Sequence, residues 1–207
     1  MTDDAPQTPP SAVQVRHQDL RARLTDIAEE TIRTGGLPAL KARDLARQAG
    51  CAVGAIYTVF DDLSGVVMAV NGRTFRSLGL AVAGAIDTQR DVGPTDRLIT
   101  MSNAYLHFAM DHPRLWRTLF DLQMSVDQQV PDWYLAELGR LFAYIAAPLR
   151  ELFPQMDAAN IDLMTRTLFS SVHGIVLLGL ERRISGVPVG RIEDMIALLL
   201  RNVTSRA

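Results

Sequence analysis

The chain has 207 residues, of which 48% are hydrophobic, and a formal net charge of −2. This length suffices for one or two domains with a buried core, and the near-neutral charge excludes a protein that wraps nucleic acid over its whole surface. A single cysteine, Cys51, excludes an internal disulfide and fits a reducing compartment. No run approaches the roughly 18 to 20 uninterrupted apolar residues of a membrane span, and the acidic, proline-rich start is unlike a signal peptide. We therefore expect a cytoplasmic protein without membrane contact.

The first predicted helix follows a polar segment. Residues 1–15 contain prolines, small polar residues and little that a fold would bury, so we predict a disordered tail. From about Arg16 to Thr34, apolar residues recur at helical spacing, and the pair Gly35-Gly36 ends the helix. This helix is expected to pack against the two short helices that follow it.

The segment 41–60, KARDLARQAGCAVGAIYTVF, predicts two short helices joined by a glycine turn. An apolar stripe at helical spacing lies on the first of them: Leu45, Ala46 and Ala49. Gly50 ends that helix, and the second begins at Ala52 with these apolar residues on one face: Ile56, Tyr57 and Phe60. A glycine-containing turn between two short helices is typical of a helix-turn-helix, whose second helix enters the major groove of DNA.

The run LARQAGCAVGAIYTVF resembles the N-terminal domain of TetR-type transcriptional regulators. The matching residues are Gly50, Gly54, Ile56, Tyr57 and Phe60. The resemblance implies an all-α fold with a disordered tail at 1–15, a three-helix helix-turn-helix DNA-binding domain at 16–62, and a helical ligand-binding and dimerisation domain at 63–207. It also implies a homodimer on double-stranded operator DNA, and a repressor that an apolar or aromatic small-molecule effector releases.

The predicted recognition region is poor in positive charge. From Gln48 to Gly72 there is no lysine or arginine, although phosphate contacts supply most of the salt-dependent affinity for DNA. We expect phosphate contacts from hydroxyl groups and from basic residues before this segment, and thymine contacts from small apolar side chains. The predicted DNA-binding residues are Lys41, Arg43, Ala52, Val53, Ala55, Tyr57 and Thr58, with Arg16, Arg21, Arg23 and Arg47 as further basic candidates. The alternative is a TetR-fold ligand-binding or protein-interaction dimer with weak or lost DNA binding.

The remainder of the chain also predicts helices, without an alternating strand pattern of useful length. A long helix from about Leu63 to Ile86 is, by family resemblance, the connection between the DNA-binding head and the ligand-binding body. A polar loop follows it at 87–96. Further helices are predicted at 96–111, 113–122, 132–152, 158–184 and 191–206, and Pro148 is expected to kink the third of these.

Aromatic side chains are concentrated between Tyr105 and Phe142, and His173 lies on a later apolar stretch. Such residues form helix cores, and they also line pockets for apolar or aromatic molecules. The segment around His173 and Gly174 resembles the histidine-glycine segment of one C-terminal subclass of TetR-like regulators, and the glycine would permit close helix approach. The predicted ligand-binding residues are Tyr105, Phe108, Trp116, Phe120, Met124, Trp133, Phe142, Phe169 and His173.

Apolar stripes on the last two predicted helices can close the chain's own core or pair with a symmetry mate. The resemblance favours the second role, a twofold four-helix dimer interface. The predicted interface residues are Ile161, Met164, Leu168, Val172, Ile192, Met195, Ile196, Leu199 and Val203. Such a dimer would set two recognition helices about 34 to 36 Å apart, which matches successive major grooves on one face of DNA.

An enzyme is not expected. The four histidines, His17, His107, His112 and His173, have no close metal-ligand spacing with cysteines. The sequence contains no glycine-rich phosphate loop, and no nucleophile and base stand at a recognisable spacing. We therefore predict no catalytic residue, no metal and no cofactor.

Overall fold

The computed structural model describes residues 11–88, 92–122, 130–181 and 188–205, and these form nine α-helices and no strand. The helices are α1 (Ala12–Gly35), α2 (Ala42–Ala49), α3 (Val53–Val59), α4 (Leu63–Asp87), α5 (Pro94–Asp111), α6 (Pro113–Asp121), α7 (Asp132–Leu152), α8 (Ala158–Leu180) and α9 (Ile192–Thr204). Short 3-10 turns at Leu37–Ala39 and Val189–Arg191 precede α2 and α9. The predicted all-α fold with a helix-turn-helix near its start is confirmed.

The first helix begins at Ala12, so residues 12–15 of the predicted tail are helical and the prediction is wrong for them. Ser11 accounts for the early start. Its side-chain oxygen accepts the N–H of Gln14, and its own N–H donates to the Gln14 side chain. Such a capping box satisfies two of the N–H groups that a helix start leaves without partners. The pattern of a serine followed three residues later by a glutamine was the signal in the sequence.

Contacts divide the chain into two compact units. The described residues up to Asn71 and those from Thr118 to Leu122 form the first unit. The second unit contains Gly72–Arg117 and the described residues from Val130 onward. Both α4 and α6 therefore contribute residues to each unit. The functional division at residue 62, drawn from the resemblance, stays a prediction.

In the first unit, α1 packs on both short helices. Its buried apolar residues include members of all three helices, of the segment after α3 and of the first part of α4: Leu24, Ala28, Ile32, Leu45, Ala49, Ile56, Phe60, Val66 and Val70. Gly50 has φ 65°, in the left-handed region that glycine adopts without steric cost, and ends α2 as predicted. Tyr57 is 49% exposed whereas Ile56 and Phe60 are buried, so the prediction that the three share one face is wrong. Because neighbouring residues on a helix point about 100° apart, burying Ile56 turns Tyr57 outward.

In the second unit, α5, α7, α8 and α9 pack around one apolar core. The fully buried side chains near its centre include Ala109, Leu149, Val176, Ile192 and Leu200. The predicted division into helices is close to the structure, and α7 runs through Pro148 as one helix. The proline has no N–H to donate to the carbonyl one turn earlier, so the helix loses one of its backbone hydrogen bonds there.

This core contains much of the predicted dimer interface. Ile161, Leu168, Val172, Ile192 and Ile196 are at most 6% exposed within the single chain, so they are not available to a partner and the prediction is wrong for these five. An apolar stripe does not itself say which face of a helix is inward, and here the stripe closes the chain's own core. The remaining predicted interface residues are half-buried: Met164, Met195, Leu199 and Val203.

Among the described helices, α8 has the length and mean hydropathy of a membrane span, and the α3–α4 pair passes the same test although it bends by 60°. Core helices of soluble proteins also pass this test, so it is weak evidence for insertion. The apolar character of α8 follows from its place in the core, because it contributes Ile161, Leu168, Val172 and Val176 to the buried cluster.

Candidate functional sites

The outward side of α3 is the candidate DNA-binding surface. Ile56 is fully buried, while Val53 is 36% and Tyr57 49% exposed. Ala52 and Thr58 are also exposed, whereas Ala55 is half-buried. The two predicted cations at the start of α2 are exposed as well, Arg43 in its first turn and Lys41 at the residue before it. The first unit thus presents all seven predicted DNA-binding residues at its surface, Ala55 least of all.

Gly54 lies exposed in the first turn of α3, where nothing in the described chain requires a glycine. Its φ is not positive, and an added Cβ would meet no atom within 4 Å. A glycine inside a helix costs about 0.5–1 kcal/mol relative to alanine. Since no contact within the chain offsets this cost, the bare backbone at Gly54 is free to approach a bound molecule closely.

Two arginines that we considered as phosphate contacts instead hold the helix-turn-helix together. Arg21 donates from Nη1 to the Val59 carbonyl oxygen at 2.7 Å, and its guanidinium lies 4.1 Å from the centroid of the Phe60 ring. Arg23 donates from Nη1 to the Ala49 carbonyl oxygen at 3.2 Å. Both carbonyls belong to the last turn of a short helix, where carbonyls lack helical partners and a cation is favoured.

These arginines tie α1 to the ends of α2 and α3, a role that sequence reasoning missed because the partners are 26 and 38 residues apart. Burial lowers the pKa of Arg21, and the nearby Asp61 carboxylate acts in the opposite direction. A third candidate, Arg47, is paired with Asp44 at 2.8 Å. Lys41 and Arg43, in contrast, make neither an ion pair nor a side-chain hydrogen bond within the described residues.

Five predicted ligand-binding residues meet in the second unit, which we call the aromatic–histidine cluster: Tyr105, Trp116, Phe142, Phe169 and His173. The imidazole of His173 stacks on Phe169 with ring centroids 5.8 Å apart and an interplanar angle of 17°, and it lies 5.4 Å from the Trp116 ring. Tyr105 makes edge contacts with Trp116 and Phe169, both at 6.0 Å, and Phe142 lies 5.2 Å from Phe169. Four helices, α5 to α8, supply these side chains.

One short hydrogen bond lies at the centre of the cluster, between the Tyr105 hydroxyl and His173 Nδ1 at 2.7 Å. Burial raises the pKa of Tyr105 well above its usual value, while the Trp116 side chain acts in the opposite direction. Burial also lowers the pKa of His173. Both shifts favour a neutral phenol hydrogen-bonded to a neutral imidazole. The five side chains are therefore uncharged and mainly apolar with one polar pair, and the Arg166 guanidinium lies outside them, 5.3 Å from the centroid of the Phe142 ring.

The other predicted ligand-binding residues lie outside this cluster. Phe108 is buried in the core and its ring lies 4.7 Å from that of His112. Phe120 is 42% exposed and belongs to the first contact unit. Met124 lies outside the described residues. The described residues therefore do not form a single pocket lined by all nine predicted side chains. Ligand contacts by any of these nine residues stay a prediction.

Trp133 belongs to a separate aromatic group with Tyr134 and Phe75. Its ring centroid lies 5.6 Å from that of Tyr134, which in turn lies 5.3 Å from Phe75. The indole packs so closely over Gly72 that an added Cβ there would come within 2.9 Å of the ring. The glycine in α4 was the signal for this contact, because only a residue without a side chain leaves room for the tryptophan.

A cavity of about 440 Å³ adjoins the cluster through Trp116. Its other lining residues come from the start of α6 and the end of α8: Pro113, Arg117, Leu177, Leu180 and Glu181. Arg117 and Glu181 form an ion pair. The volume is within the range of small-molecule sites. In the part of the chain that is described, no three histidine, cysteine or carboxylate side chains are grouped so as to hold a metal ion.

Two of three comparisons place this fold among known proteins. A family model described as "Tetracyclin repressor-like, C-terminal domain" matches residues 98–203. No curated protein matches the sequence. Among solved structures, a protein of unknown function from Rhodococcus sp. RHA1 is 19% identical, with a TM-score of 0.69 over 97% of this chain and 98% of that one.

Two further solved structures are named as regulators. A TetR-family transcriptional regulator from Streptomyces coelicolor is 18% identical, with a TM-score of 0.64 over 90% of this chain and 98% of that one. A TetR transcriptional regulator from Rhodococcus sp. RHA1 is 15% identical, with a TM-score of 0.61 over 90% and 96%. At these identities the structures show a shared fold, while the family model covers more than half of the sequence. The chain belongs to the TetR family of transcriptional regulators.

Proposed function

We propose that this protein is a homodimeric cytoplasmic repressor, which binds operator DNA through α3 and is released when an apolar or aromatic molecule binds at the aromatic–histidine cluster. The exposed side of α3 is the observation that carries the proposal. This side of α3 presents methyl groups and hydroxyls that can contact bases and phosphates. At Gly54 it also presents backbone without a side chain, although no contact within the described chain requires a glycine there.

The aromatic–histidine cluster supports an uncharged effector. Its five rings offer faces and edges to an aromatic molecule, and the neutral Tyr105–His173 pair offers a hydrogen bond without a buried charge. A charged ligand would lose its hydration there without gaining a counter-ion from the cluster. For release, the effector must favour a conformer that binds the operator less well, because a ligand shifts an equilibrium only by its difference in affinity for the two states.

For the dimer, we propose a revised interface on the outward faces of α8 and α9. Leu163, Leu178 and Leu198 are 63%, 44% and 65% exposed, a high exposure for leucines on two long helices. Gly174 lies between the first two, and an added Cβ there would meet no atom within 4 Å. The close helix approach predicted at Gly174 is therefore absent within the described chain, and we assign it to the partner helix.

DNA binding is tested with the purified protein and its own upstream intergenic DNA, against a random duplex of equal length, at two salt concentrations. We expect specific, salt-sensitive binding, with a weaker salt dependence for Arg43→Ala by about one unit of log–log slope. Arg150→Ala is the matched control, because this exposed arginine lies on α7, outside both the candidate DNA-binding surface and the proposed dimer interface. Equal binding to both duplexes would overturn the proposal.

Effector binding is tested by fluorescence, since the chain has two tryptophans. Trp133→Phe leaves Trp116 as the reporter inside the cluster, and Trp116→Phe leaves Trp133 as the control. We expect some uncharged aromatic compounds from a panel to change the Trp116 emission saturably, to leave the Trp133 emission unchanged, and to release the protein from DNA. Saturation of the Trp116 signal without any change in operator affinity would contradict the release mechanism.

The dimer is tested by sedimentation. Leu163→Arg and Leu198→Arg would each place a charge in the proposed interface, and we expect both to shift the protein towards monomer. Leu80→Arg is the control, because Leu80 is also highly exposed, at 75%, but lies on α4. Dissociation by Leu80→Arg alone would place the interface elsewhere.

A second function is favoured by the arginines of the first unit. Arg21 and Arg23 bind backbone carbonyls and Arg47 binds Asp44, so few cations remain for phosphate. The alternative is a ligand-binding or protein-interaction dimer of the same fold with weak or lost DNA binding. Weak binding with a flat salt dependence, unchanged in Arg43→Ala, would support it.

A further inference from the structure

A cavity of about 540 Å³ in the second unit lies among α4, α5 and α7, and none of its lining residues belongs to the aromatic–histidine cluster. Its wall is mainly apolar: Ala83, Ile86, Met101, Ala143, Ala147 and Pro148. Four side chains add polar groups, namely Asp87, Arg97, Arg140 and Tyr144. An apolar wall with a few polar groups is the usual construction of a small-molecule site.

Arg97 is the polar residue that points to a ligand. Its side chain is 24% exposed, and Nη2 is bound to Glu151. Its Nε is buried and has no hydrogen-bond partner among the residues that the structure describes. Nε and Nη2 form one edge of the guanidinium, which can hold a carboxylate through two parallel hydrogen bonds. On this edge, Nη2 therefore has Glu151 as its acceptor, whereas Nε has none among the described residues.

Arg140 adds donors to the same cavity. It binds Glu137 at 3.1 Å, and Glu137 also binds Arg76 at 3.0 Å. One carboxylate thus serves two guanidinium groups, each with five N–H donors. Arg97 and Arg140 thus bring guanidinium donors to the cavity, which an anionic ligand would satisfy, while Asp87 is the carboxylate among its lining residues.

We propose that this cavity binds a small carboxylate with a short hydrocarbon body. The carboxylate accepts from Arg97 Nε with Arg140 beside it, and the hydrocarbon lies along Met101, Ile86 and Pro148. The site is separate from the proposed effector site, whose cluster is neutral and favours uncharged molecules. It also does not depend on DNA binding, so its test is independent of the proposed function.

The experiment uses methyl-¹³C-methionine NMR of the full chain, with sodium hexanoate as the probe. Met101 lines the cavity, whereas Met110 is 48% exposed and is not part of its lining, so its methyl group is the control within the protein. The two signals are assigned with Met101→Leu and Met110→Leu. We expect hexanoate to shift the Met101 signal saturably and to leave Met110 unchanged. Hexan-1-ol has the same chain without the charge, and sodium acetate has the charge without the chain, so we expect both to bind far more weakly.

Substitutions test the two arginines and the carboxylate that occupies Arg97. Arg97→Gln removes the charged donor and is expected to weaken hexanoate binding roughly tenfold, as for the loss of a hydrogen bond to a charged group. Arg140→Gln is expected to weaken hexanoate binding less and to leave the fold intact, because its side chain is 70% exposed. Glu151→Gln is expected to strengthen hexanoate binding, because it weakens the ion pair of Glu151 with Arg97 that competes with the ligand. Arg166→Gln should change nothing.

Several results would overturn this proposal. They are the absence of a saturable Met101 shift, equal shifts with hexanoate and hexan-1-ol, and unchanged hexanoate affinity in both Arg97→Gln and Arg140→Gln. In each case the cavity holds water alone. Tighter binding by Glu151→Gln, together with weaker binding by Arg97→Gln, is a pair of opposite changes that general destabilisation of the unit would not produce.

Discussion

The candidate DNA-binding surface and the aromatic–histidine cluster are built in opposite ways. The surface consists of mostly exposed residues on or next to two consecutive short helices, within a segment of about twenty residues. The cluster brings together five side chains from four helices, and its central hydrogen bond joins residues 68 apart in sequence. The DNA-binding surface can therefore be recognised in the sequence as a local motif, whereas the aromatic–histidine cluster forms only when the helices pack together.

This difference also separates what each site does for stability. Residues of the surface make few contacts within the chain, so replacing them should change binding and leave the fold intact. Residues of the cluster are largely buried, so replacing them should change the free energy of unfolding first. Four substitutions test this contrast, from the largest expected effect to the smallest.

Trp116→Ala should lower the free energy of unfolding by about 3–5 kcal/mol, because it empties a large buried site. Trp116 is 2% exposed and contacts the rings of Tyr105 and His173. Urea denaturation monitored by circular dichroism measures the loss. The matched variant is Trp133→Ala, whose side chain is 41% exposed and which should cost less. Equal losses would mean that the cluster does not contribute specially to the stability of the fold.

Arg21→Ala should cost about 1–3 kcal/mol, since it removes a charged donor from the Val59 carbonyl and a cation from the face of Phe60. Arg43→Ala is the comparison, because Arg43 is exposed and has no such contact among the described residues. It should leave the unfolding curve unchanged and reduce DNA affinity. Thermal denaturation of both variants separates the two roles, and an unaltered melting temperature for Arg21→Ala would refute the structural one.

Gly54→Ala should raise the free energy of unfolding by about 0.5–1 kcal/mol, because alanine is the better helix residue and the added methyl group meets open space. Operator affinity should fall at the same time if DNA approaches this backbone. Gly139→Ala on α7 is the control, as its added Cβ also meets no atom within 4 Å. It should increase stability without changing operator affinity. A Gly54→Ala variant that binds DNA normally would remove Gly54 from the interface.

The smallest effect is the contribution of His173 to the pH dependence of stability. Its pKa is lowered in the folded chain by burial, so the unfolded chain binds the proton more readily. The stabilisation is therefore complete above the ordinary histidine pKa of about 6.5 and is lost as the pH falls from there through the lower folded pKa. Chemical denaturation between pH 8 and pH 5, in steps of roughly half a unit, should show a smaller acid loss in His173→Gln than in the original chain. Identical dependence of stability on pH in His173→Gln and in the original chain would contradict this prediction.

The head was more predictable than the body because its signals are local. Gly50 predicted the helix end correctly, and the spacing of Leu45, Ala46 and Ala49 predicted the buried face of α2. In the ligand-binding body, the spacing of apolar residues predicted where the helices lie. The same spacing does not show whether an apolar face packs in the chain's own core or against a partner chain. Ile161 and Ile196 were therefore assigned to a partner although they close the chain's own core.

Two kinds of contact were beyond sequence reasoning. The carbonyl partners of Arg21 and Arg23 are backbone atoms, which carry no residue-type signal. The place of Trp133 outside the cluster depends on the packing of α7 over Gly72, which is a relation between distant helices. Residue type alone placed five aromatic or histidine side chains in the same group correctly, since apolar rings on facing helices tend to meet in one core.

The arginine contacts of α1 have a consequence for genetic screens. A selection that scores only the output of a reporter gene would group Arg21 and Arg23 with residues that touch DNA, because a loosened helix-turn-helix and a lost phosphate contact both derepress the reporter. Scoring cellular abundance of each variant in parallel would separate them. Variants at Arg21 and Arg23 should be depleted from the pool of intact protein, whereas variants at Lys41 and Arg43 should accumulate normally and still fail to regulate.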